Sequence, residues 1–324
     1  MRRRAQPPQP KETKPKKPAG LLELDRFSEV AIGRWLDISR DLDQLEDDLF
    51  FGIQPEQRRW RNEILESLER SPRLELVLTG WVRIVPFQYS NTPLSCAGSM
   101  KSIGGRFNAG CELDPGTLPP WPALYLAEDY ETAFREKFQL ASDGTVDGLS
   151  ATDLALQKGA SHSTVQLHGE LENVFDMTAP ANLNAVARVL KKIGMPPRAR
   201  ALKKKLGIAP QDLRMVQGGV DLYRAVLEHN WRQLPIQFGL PARSHVLAEM
   251  IRAANYEAIL YPSTKGGKNC LAVFPDKLGA ASFIELSDPV PTTVGHTRLD
   301  ARTAETLSGI DDLPSQARRL LGRD

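Results

Sequence analysis

The sequence predicts an α+β fold, because short apolar runs rich in valine, leucine and isoleucine alternate along the chain with segments of helical periodicity. The predicted strands are Leu74–Val85, Ala123–Ala127, Ala258–Tyr261, Cys270–Phe274 and Ser282–Leu286. The predicted helices are Tyr130–Leu140, Ala181–Ile193, Val220–Glu228 and Ser244–Ala254. Residues 141–230 are predicted to form a predominantly helical region.

The composition is typical of a soluble globular protein, since 41% of the 324 residues are hydrophobic and 25% are charged. No apolar stretch approaches the roughly 18 residues that a membrane span needs. The three cysteines, Cys96, Cys111 and Cys270, fit neither a disulfide framework nor a CxxC metal pair. We therefore expect a protein without a membrane span, located in the cytoplasm at least where it is made.

Residues 1–20 differ in composition from the rest of the chain. They contain seven basic residues, one acidic residue and several prolines, and they offer almost nothing to a core, so we predict a disordered basic tail. Two interpretations are open: attachment to an acidic partner or nucleic acid, or a merely solubilising tail. The remainder is slightly acidic, so binding to nucleic acid is not expected.

Residues 21–72 predict a helical module that precedes a main domain at residues 73–290. Its apolar residues recur at helical spacing in two groups, Leu42, Leu45 and Leu49, then Trp60, Ile64 and Leu68. Gly52 and Pro55 are expected to interrupt this helical run, and Ser71-Pro72 to end it. Residues 291–324 are weakly patterned and predict a C-terminal extension, such as a loosely attached helix.

Two arginines lie in patterns that suggest a ligand. Arg83 is embedded in an apolar strand, so it either pairs with a buried acid or points into a cleft. Arg106 follows two glycines in Gly104–Gly110, where glycine lets the backbone approach a ligand and the guanidinium matches phosphate oxygens. Tight turns use the same residue types, and the chain has no GxxxxGKS/T motif of a P-loop.

Two further segments place polar residues after predicted strands. Asp129 is positioned to cap the helix that carries Glu136, and Glu136 lies at the margin of that helix's apolar stripe. There it either reaches a cleft or pairs with a nearby lysine. Ser263 begins a glycine-rich loop, where it binds a ligand or caps the turn, and it lacks the GxSxG of a nucleophile elbow. His229 and His245 are expected to be satisfied helix histidines rather than bases.

Together and in this order, these motifs resemble the RES domain family, which is named for an arginine, a glutamate and a serine. The matching segments are Trp81-Val82-Arg83, Gly105-Arg106-Phe107-Asn108, Tyr125-Leu126-Ala127 with Ala133 and Glu136, Val174–Thr178, and Tyr261-Pro262-Ser263 with Asn269. The resemblance covers roughly residues 76–288 and identifies residues 73–290 as a RES-like catalytic domain.

The resemblance implies both a fold and an activity. RES domains resemble the ADP-ribosyltransferase fold, a split mixed β-sheet, and the family includes toxins of bacterial toxin–antitoxin pairs that degrade NAD⁺. It therefore implies an enzyme that cleaves the nicotinamide–ribose bond of NAD⁺ by hydrolysis or phosphorolysis and depletes cellular NAD⁺. No metal and no cofactor beyond the NAD⁺ substrate is expected.

The resemblance also assigns roles to residues. The implied catalytic residues are Glu136, Arg83 and Ser263, and the implied substrate-binding residues are Arg106, Tyr125 and Asn269. Glu136 would stabilise the positive charge that grows on the ribose, the two arginines would bind pyrophosphate, and Tyr125 would contact the nicotinamide riboside end. Ser263 would fix the orientation of that end.

Alternatives are open for both the reaction and the partners. ADP-ribosyl transfer to a macromolecule shares the first bond cleavage, and a non-catalytic RES-like binding module is a second alternative. Compared with compact antitoxin-partnered toxins, the chain has an N-terminal module and a helical insertion at about residues 185–225. The expected partners are NAD⁺, an antitoxin or immunity protein and, for phosphorolysis, inorganic phosphate. Delivery into a target cell as an effector is an alternative to a purely cytoplasmic role.

Overall fold

The computed structural model describes residues 29–114, 116–140, 145–146, 149–150, 161–313 and 315–320. Its helices are α1 Glu29–Glu69, α2 Tyr130–Phe138, α3 Asn184–Leu190, α4 Pro197–Lys205, α5 Gly219–Val226, α6 Gln233–Phe238, α7 Arg243–Ala253, α8 Ala304–Ser308 and α9 Ser315–Leu320. Its strands are β1 Leu74–Pro86, β2 Gly104–Gly105, β3 Asn108–Ala109, β4 Leu124–Ala127, β5 Thr145–Val146, β6 Leu149–Ser150, β7 His162–Asp176, β8 Ala258–Pro262, β9 Asn269–Val273, β10 Phe283–Leu286 and β11 Arg298–Asp300. All five predicted strands and all four predicted helices are present, with ends shifted by at most three residues. The predicted tail at residues 1–20 lies outside the described residues.

Seven strands form one mixed sheet in the order β1-β4-β9-β8-β7-β10-β11. β7 pairs in parallel with β8 and antiparallel with β1 and β10. Because β1 also pairs with β4, with Val82 opposite Ala127, the strands β1, β4, β9, β8 and β7 close into a ring. The mixed α+β class is confirmed, and the likeness to the split sheet of ADP-ribosyltransferases stays a prediction.

The strand β7 lies within residues 141–230, which the sequence predicts to be mainly helical, and that prediction is wrong for residues 162–176. Apolar Val165, Leu167 and Leu171 alternate with polar residues, but Gly169 interrupts the alternation. A Cβ at Gly169 would overlap the carbonyl of Phe283 on β10, so the close approach of the two strands requires glycine. Gly169 therefore allows β10 to pair with β7 and also breaks the alternating pattern by which β7 could be predicted from the sequence.

The helix α1 is continuous over 41 residues, so the predicted interruption at Gly52 and Pro55 is wrong. A Cβ at Gly52 would come within 2.8 Å of the Pro196 ring, so this glycine allows close packing rather than ending the helix. Proline within a helix removes one backbone hydrogen bond, and packing of α1 against α3, α4 and α7 offsets that cost. The predicted end before Ser71-Pro72 is confirmed, because α1 ends at Glu69.

Alternate residues of the central strands face two different cores. Ile259 and Tyr261 on β8 join the core that includes the end of α1 and the helix α7. Leu260 on the same strand joins a second core, which Leu167 of β7 and Ile284 of β10 also enter. The period of two thus directs Tyr261 to the face where α2, α7 and the hairpin β2–β3 lie.

The segment after residue 290 joins the sheet. β11 pairs with β10, and the Cys96 N–H donates to the carbonyl of Leu307 at 2.7 Å. The prediction of a loosely attached helix is therefore wrong for residues 298–308. The three cysteines are free thiols. Within the described ranges, no helix combines the length and hydropathy required to cross a bilayer.

Candidate active site

A cavity of about 220 Å³ lies where β1, β4, α2 and the β2–β3 hairpin meet. Four of the predicted site residues line it, namely Arg83, Arg106, Tyr125 and Glu136. The structure thus brings together side chains that are up to 53 positions apart in sequence, which makes this cavity the candidate active site.

Glu136 is held by the loop that follows β8. Its Oε1 accepts hydrogen bonds from Ser263 Oγ at 2.6 Å and from the Thr264 N–H at 3.1 Å. Ser263 Oγ also accepts the N–H groups of Lys265 and Gly266, at 3.0 and 2.7 Å, so its own proton is directed to the carboxylate. No residue that the structure describes donates to Oε2, which leaves this oxygen for a ligand.

The helix α2 sets the position of Glu136. Asp129 caps its start by accepting the Thr132 N–H at 2.7 Å, which confirms the predicted cap. The helix ends at Phe138, and its C-cap residue Gln139 adopts a left-handed φ of 57° and donates through its side chain to the backbone carbonyl of Glu136 at 2.5 Å. Glu136 therefore lies in the last turn, where a short, capped helix fixes its direction.

Arg106 is buried, and three acceptors orient its guanidinium. Nη1 donates to the carbonyls of Val226 and Glu228 at 3.3 and 2.9 Å, and Nη2 donates to Thr264 Oγ1 at 3.0 Å. Thr264 thus links Arg106 to Glu136 through its side chain and its backbone N–H. Burial lowers the pKa of Arg106, with a partly opposing effect from Tyr261. The arginine forms no salt bridge with a carboxylate among the described residues, so its charge is available to an anion.

Arg83 lines the cavity and forms no salt bridge with an acid among the described residues, so the buried-acid interpretation of its sequence is not supported. It donates to the carbonyl of Ser95 at 2.8 Å and to that of Tyr125 at 3.3 Å. Its Nε is buried and has no partner among the described residues. Burial lowers the pKa of Arg83, because the charged guanidinium is desolvated without a paired acid.

Tyr125 uses its hydroxyl to fix the β2–β3 hairpin. The hydroxyl accepts the Phe107 N–H and donates to Asn108 Oδ1, both at 2.9 Å, and burial raises its pKa. A Cβ at Gly105 would come within 2.5 to 2.6 Å of this ring, and Gly104 has a φ of +91°. These glycines therefore serve the hairpin and the Tyr125 contact, which fits the tight-turn interpretation left open by the sequence.

Asn269 lies apart from the cavity lining. Its side-chain amide donates to Glu128 Oε1 at 2.8 Å, and its N–H donates to Glu128 Oε2 at 3.1 Å. These bonds join the ends of β4 and β9, so in this structure Asn269 supports the strands that carry Tyr125. Its predicted role in substrate binding stays a prediction.

Arg232 is a cavity residue that no sequence motif indicates. Arg232 lines the cavity, donates to Gln139 Oε1 at 2.8 Å and lies over the Trp231 ring at 4.5 Å. Burial and the nearby Arg106 lower its pKa. With Lys137 also present, the described lining carries four basic side chains and one carboxylate, Glu136, which favours an anionic ligand.

His245 has a structural role, as expected from the sequence. Its Nδ1 accepts the Ala242 N–H at 3.2 Å and its Nε2–H donates to the Gly105 carbonyl at 2.8 Å. Burial lowers its pKa to about 4, so the ring is neutral near pH 7 and ties α7 to the hairpin. Among the described residues, no group of three or more His, Cys, Asp or Glu could hold a metal ion.

The chain is similar to known proteins in part of its length. A family model of the RES domain matches residues 197–294. The resemblance to the RES domain family is confirmed. The match to this RES-like chain includes Ser263 and Asn269 and begins inside the segment predicted as an insertion, whereas Arg83, Arg106, Tyr125 and Glu136 precede it.

The RES-like chain matches no curated protein. Among solved structures, it is similar to a chain of the M. tuberculosis MbcT–MbcA toxin–antitoxin complex, with 14% identity and a TM-score of 0.39. This similarity covers 76% of the RES-like chain and 97% of the other chain.

Proposed function

We propose that this RES-like protein cleaves the nicotinamide–ribose bond of NAD⁺. The observation that carries the proposal is one carboxylate, fixed by a serine and a backbone N–H, in a cavity with three desolvated arginines. NAD⁺ has the complementary charges, since its pyrophosphate is anionic and the ribose becomes cationic as nicotinamide leaves.

The geometry of the cavity supports different roles for the carboxylate, the arginines and the serine. The free Oε2 of Glu136 is available to stabilise positive charge on the ribose or to hold one of its hydroxyls. Arg83 and Arg106 have N–H groups beyond those engaged by the protein, and these would bind phosphate oxygens through charge-assisted hydrogen bonds. Ser263 would act through Glu136, because its hydroxyl proton is already donated to that carboxylate.

Besides NAD⁺, the proposed reaction requires only water or phosphate as the attacking group. The bond between the ribose C1′ and the nicotinamide nitrogen breaks, and its electron pair stays on that nitrogen, so nicotinamide leaves as a neutral molecule. An oxygen of water or phosphate then forms a bond to C1′, and the proton of the attacking group passes to solvent or to an acceptor. The excess of basic side chains is compatible with either acceptor.

The proposed activity also suggests a biological role for the protein. The RES domain resemblance supports a toxin that depletes NAD⁺ and that a partner protein neutralises. A protein of this activity in the cell that makes it would require such a partner, which would be an antitoxin or an immunity protein.

The test is to incubate the purified protein with NAD⁺ labelled in the adenylate, with and without inorganic phosphate, and to separate the products. We expect free nicotinamide together with ADP-ribose or, where phosphate attacks, its 1″-phosphorylated form. Label found on protein or nucleic acid would instead identify ADP-ribosyl transfer. Absence of nicotinamide under every condition would contradict the proposed function.

A further inference from the structure

The candidate active site is too small to enclose a dinucleotide. Its volume is about 220 Å³, whereas sites that bury small molecules usually measure about 300–1,000 Å³. A ligand with two nucleotides would therefore extend beyond this cavity.

A second cavity of about 570 Å³ adjoins the first across Arg232 and the Gly104-Gly105 turn. Arg232 lines both cavities, while Gly104 faces the second and Gly105 the first. The two linings therefore share one cationic side chain, and the Gly104-Gly105 turn contributes one residue to each.

The position of Arg232 is fixed on both sides of its guanidinium. Gln139 at the end of α2 accepts its hydrogen bond at 2.8 Å, and the Trp231 ring lies beneath it at 4.5 Å. Arg106 lies over the same ring at 5.7 Å. Two guanidinium groups on one indole repel each other, so an anion between the two cavities would be stabilised by both.

The lining of the second cavity has the two surfaces that a nucleoside requires. Ile103, Pro235 and the 67% exposed Ile236 provide an apolar surface for the face of a base. The Glu112 carboxylate accepts the Ser102 hydroxyl at 2.8 Å through Oε2, and its Oε1 is free of partners among the described residues. A carboxylate oxygen at this position can accept hydrogen bonds from a ribose diol.

We propose that the second cavity binds the second nucleotide of the substrate, the nucleoside monophosphate that does not carry nicotinamide, and that Arg232 binds the pyrophosphate between the two cavities. The proposal rests on the proposed function, because it assigns the other half of the same substrate. It makes Arg232 and Ile236 determinants of the preference for a dinucleotide over a mononucleotide.

The test compares NAD⁺ with nicotinamide mononucleotide, which contains the same scissile bond and lacks the second nucleotide. Ile236→Asp removes the apolar surface and adds a negative charge. Because the Ile236 side chain is exposed, the variant should fold normally. We expect Ile236→Asp to lower kcat/KM for NAD⁺ by about tenfold or more, mainly by raising KM. This loss corresponds to the free energy of burying one aliphatic side chain against the bound substrate. Nicotinamide release from the mononucleotide should stay unchanged, and Ile236→Leu should retain wild-type kinetics with both substrates.

A binding measurement separates this inference from the proposed function. ADP, which offers the second nucleotide and the diphosphate, should bind the wild type and Ile236→Leu in calorimetry and bind Ile236→Asp at least about tenfold more weakly. Binding of ADP without nicotinamide release from NAD⁺ would support the second cavity while overturning the proposed function. Wild-type kinetics with NAD⁺ in Ile236→Asp, an equal loss with both substrates, or no binding of ADP would overturn the inference.

Discussion

At the scale of single residues, the hydrogen bond from Ser263 to Glu136 holds the carboxylate of the candidate active site. Ser263→Ala removes one of two donors to Glu136 Oε1 and leaves the Lys265 and Gly266 N–H groups without their acceptor. A hydrogen bond to a charged group contributes about 1.5–3 kcal/mol, so we expect kcat for nicotinamide release to fall by about 10- to 100-fold.

The conservative variant separates positioning from folding. Ser263→Thr keeps a hydroxyl and should retain most of the activity, whereas Ser263→Ala should lose kcat with little change in KM. Steady-state kinetics of both variants checks this prediction. A Ser263→Ala enzyme with wild-type kcat would show that the serine does not act through Glu136.

Single residues also show what the sequence could reveal about the site. Arg83, Arg106, Tyr125 and Glu136 lie in short sequence motifs on strands, a turn and a helix, and the fold brings them together around one cavity. Arg232 lies in no such motif, because its position depends on contacts between elements distant in sequence. Thr264 lies in the loop that begins at Ser263, but its bond to Arg106 depends on the tertiary fold. Asn269 lies in a motif, yet its side chain pairs with Glu128, since the register of β4 against β9 places the two side by side.

At the scale of elements, His245 joins the helix α7 to the hairpin that presents Arg106. Its pKa is lowered to about 4 in the folded state, whereas an unfolded histidine has a pKa near 6.5. The unfolded chain therefore binds more protons between these values. The contribution of neutral His245 to stability is fully present above about pH 6.5 and is lost as the pH falls toward 4.

The expected result is a pH-dependent difference between the wild type and His245→Gln. Between pH 7 and pH 5, the wild type should lose about 2 kcal/mol of unfolding free energy through this one group, a loss that the variant lacks. Urea unfolding at the two pH values measures it. NMR titration of the wild type gives a second measure, and an imidazole of His245 that becomes protonated near pH 6.5 would contradict the prediction.

The elements also show where sequence patterns succeed and where they fail. Apolar runs predict β1, β4, β8, β9 and β10 because each of these strands is bordered by turn residues and lacks an internal glycine, apart from Gly80 in β1. β7 escapes prediction because the glycine required by its neighbour β10 breaks the period of two. The continuity of α1 through Gly52 and Pro55 depends on tertiary packing, which no local propensity records.

At the scale of the whole molecule, the end of α1 belongs to the same core as the sheet. Ile64 and Leu68 are fully buried in the core that contains Tyr261, and the Tyr256 hydroxyl donates to the Leu68 carbonyl at 2.7 Å. Arg61 forms two hydrogen bonds with Glu249 on α7, at 2.6 and 2.8 Å. These contacts indicate that α1 and the sheet unfold as one unit.

Truncation of a buried α1 side chain tests whether α1 and the sheet unfold cooperatively. Ile64→Ala should lower the free energy of unfolding by about 2–5 kcal/mol, as expected for a large-to-small change in a core, and should shift a single transition. Val77→Ala, at a strand position that is 68% exposed, is the matched control and should change stability by less than about 0.5 kcal/mol. A separate early unfolding transition for α1, with the main unfolding transition unchanged, would contradict cooperative unfolding.

The measurement that tests the central claim most directly is the rate of nicotinamide release from NAD⁺ by Glu136→Gln. Glutamine preserves the acceptor for Ser263 and Thr264 and removes only the negative charge, so the fold should be retained. Glu131→Gln, an exposed change on the same helix, is the control and should keep wild-type activity. We predict that Glu136→Gln lowers the rate by about a hundredfold or more, whereas an unchanged rate would contradict the assignment of this cavity as the active site.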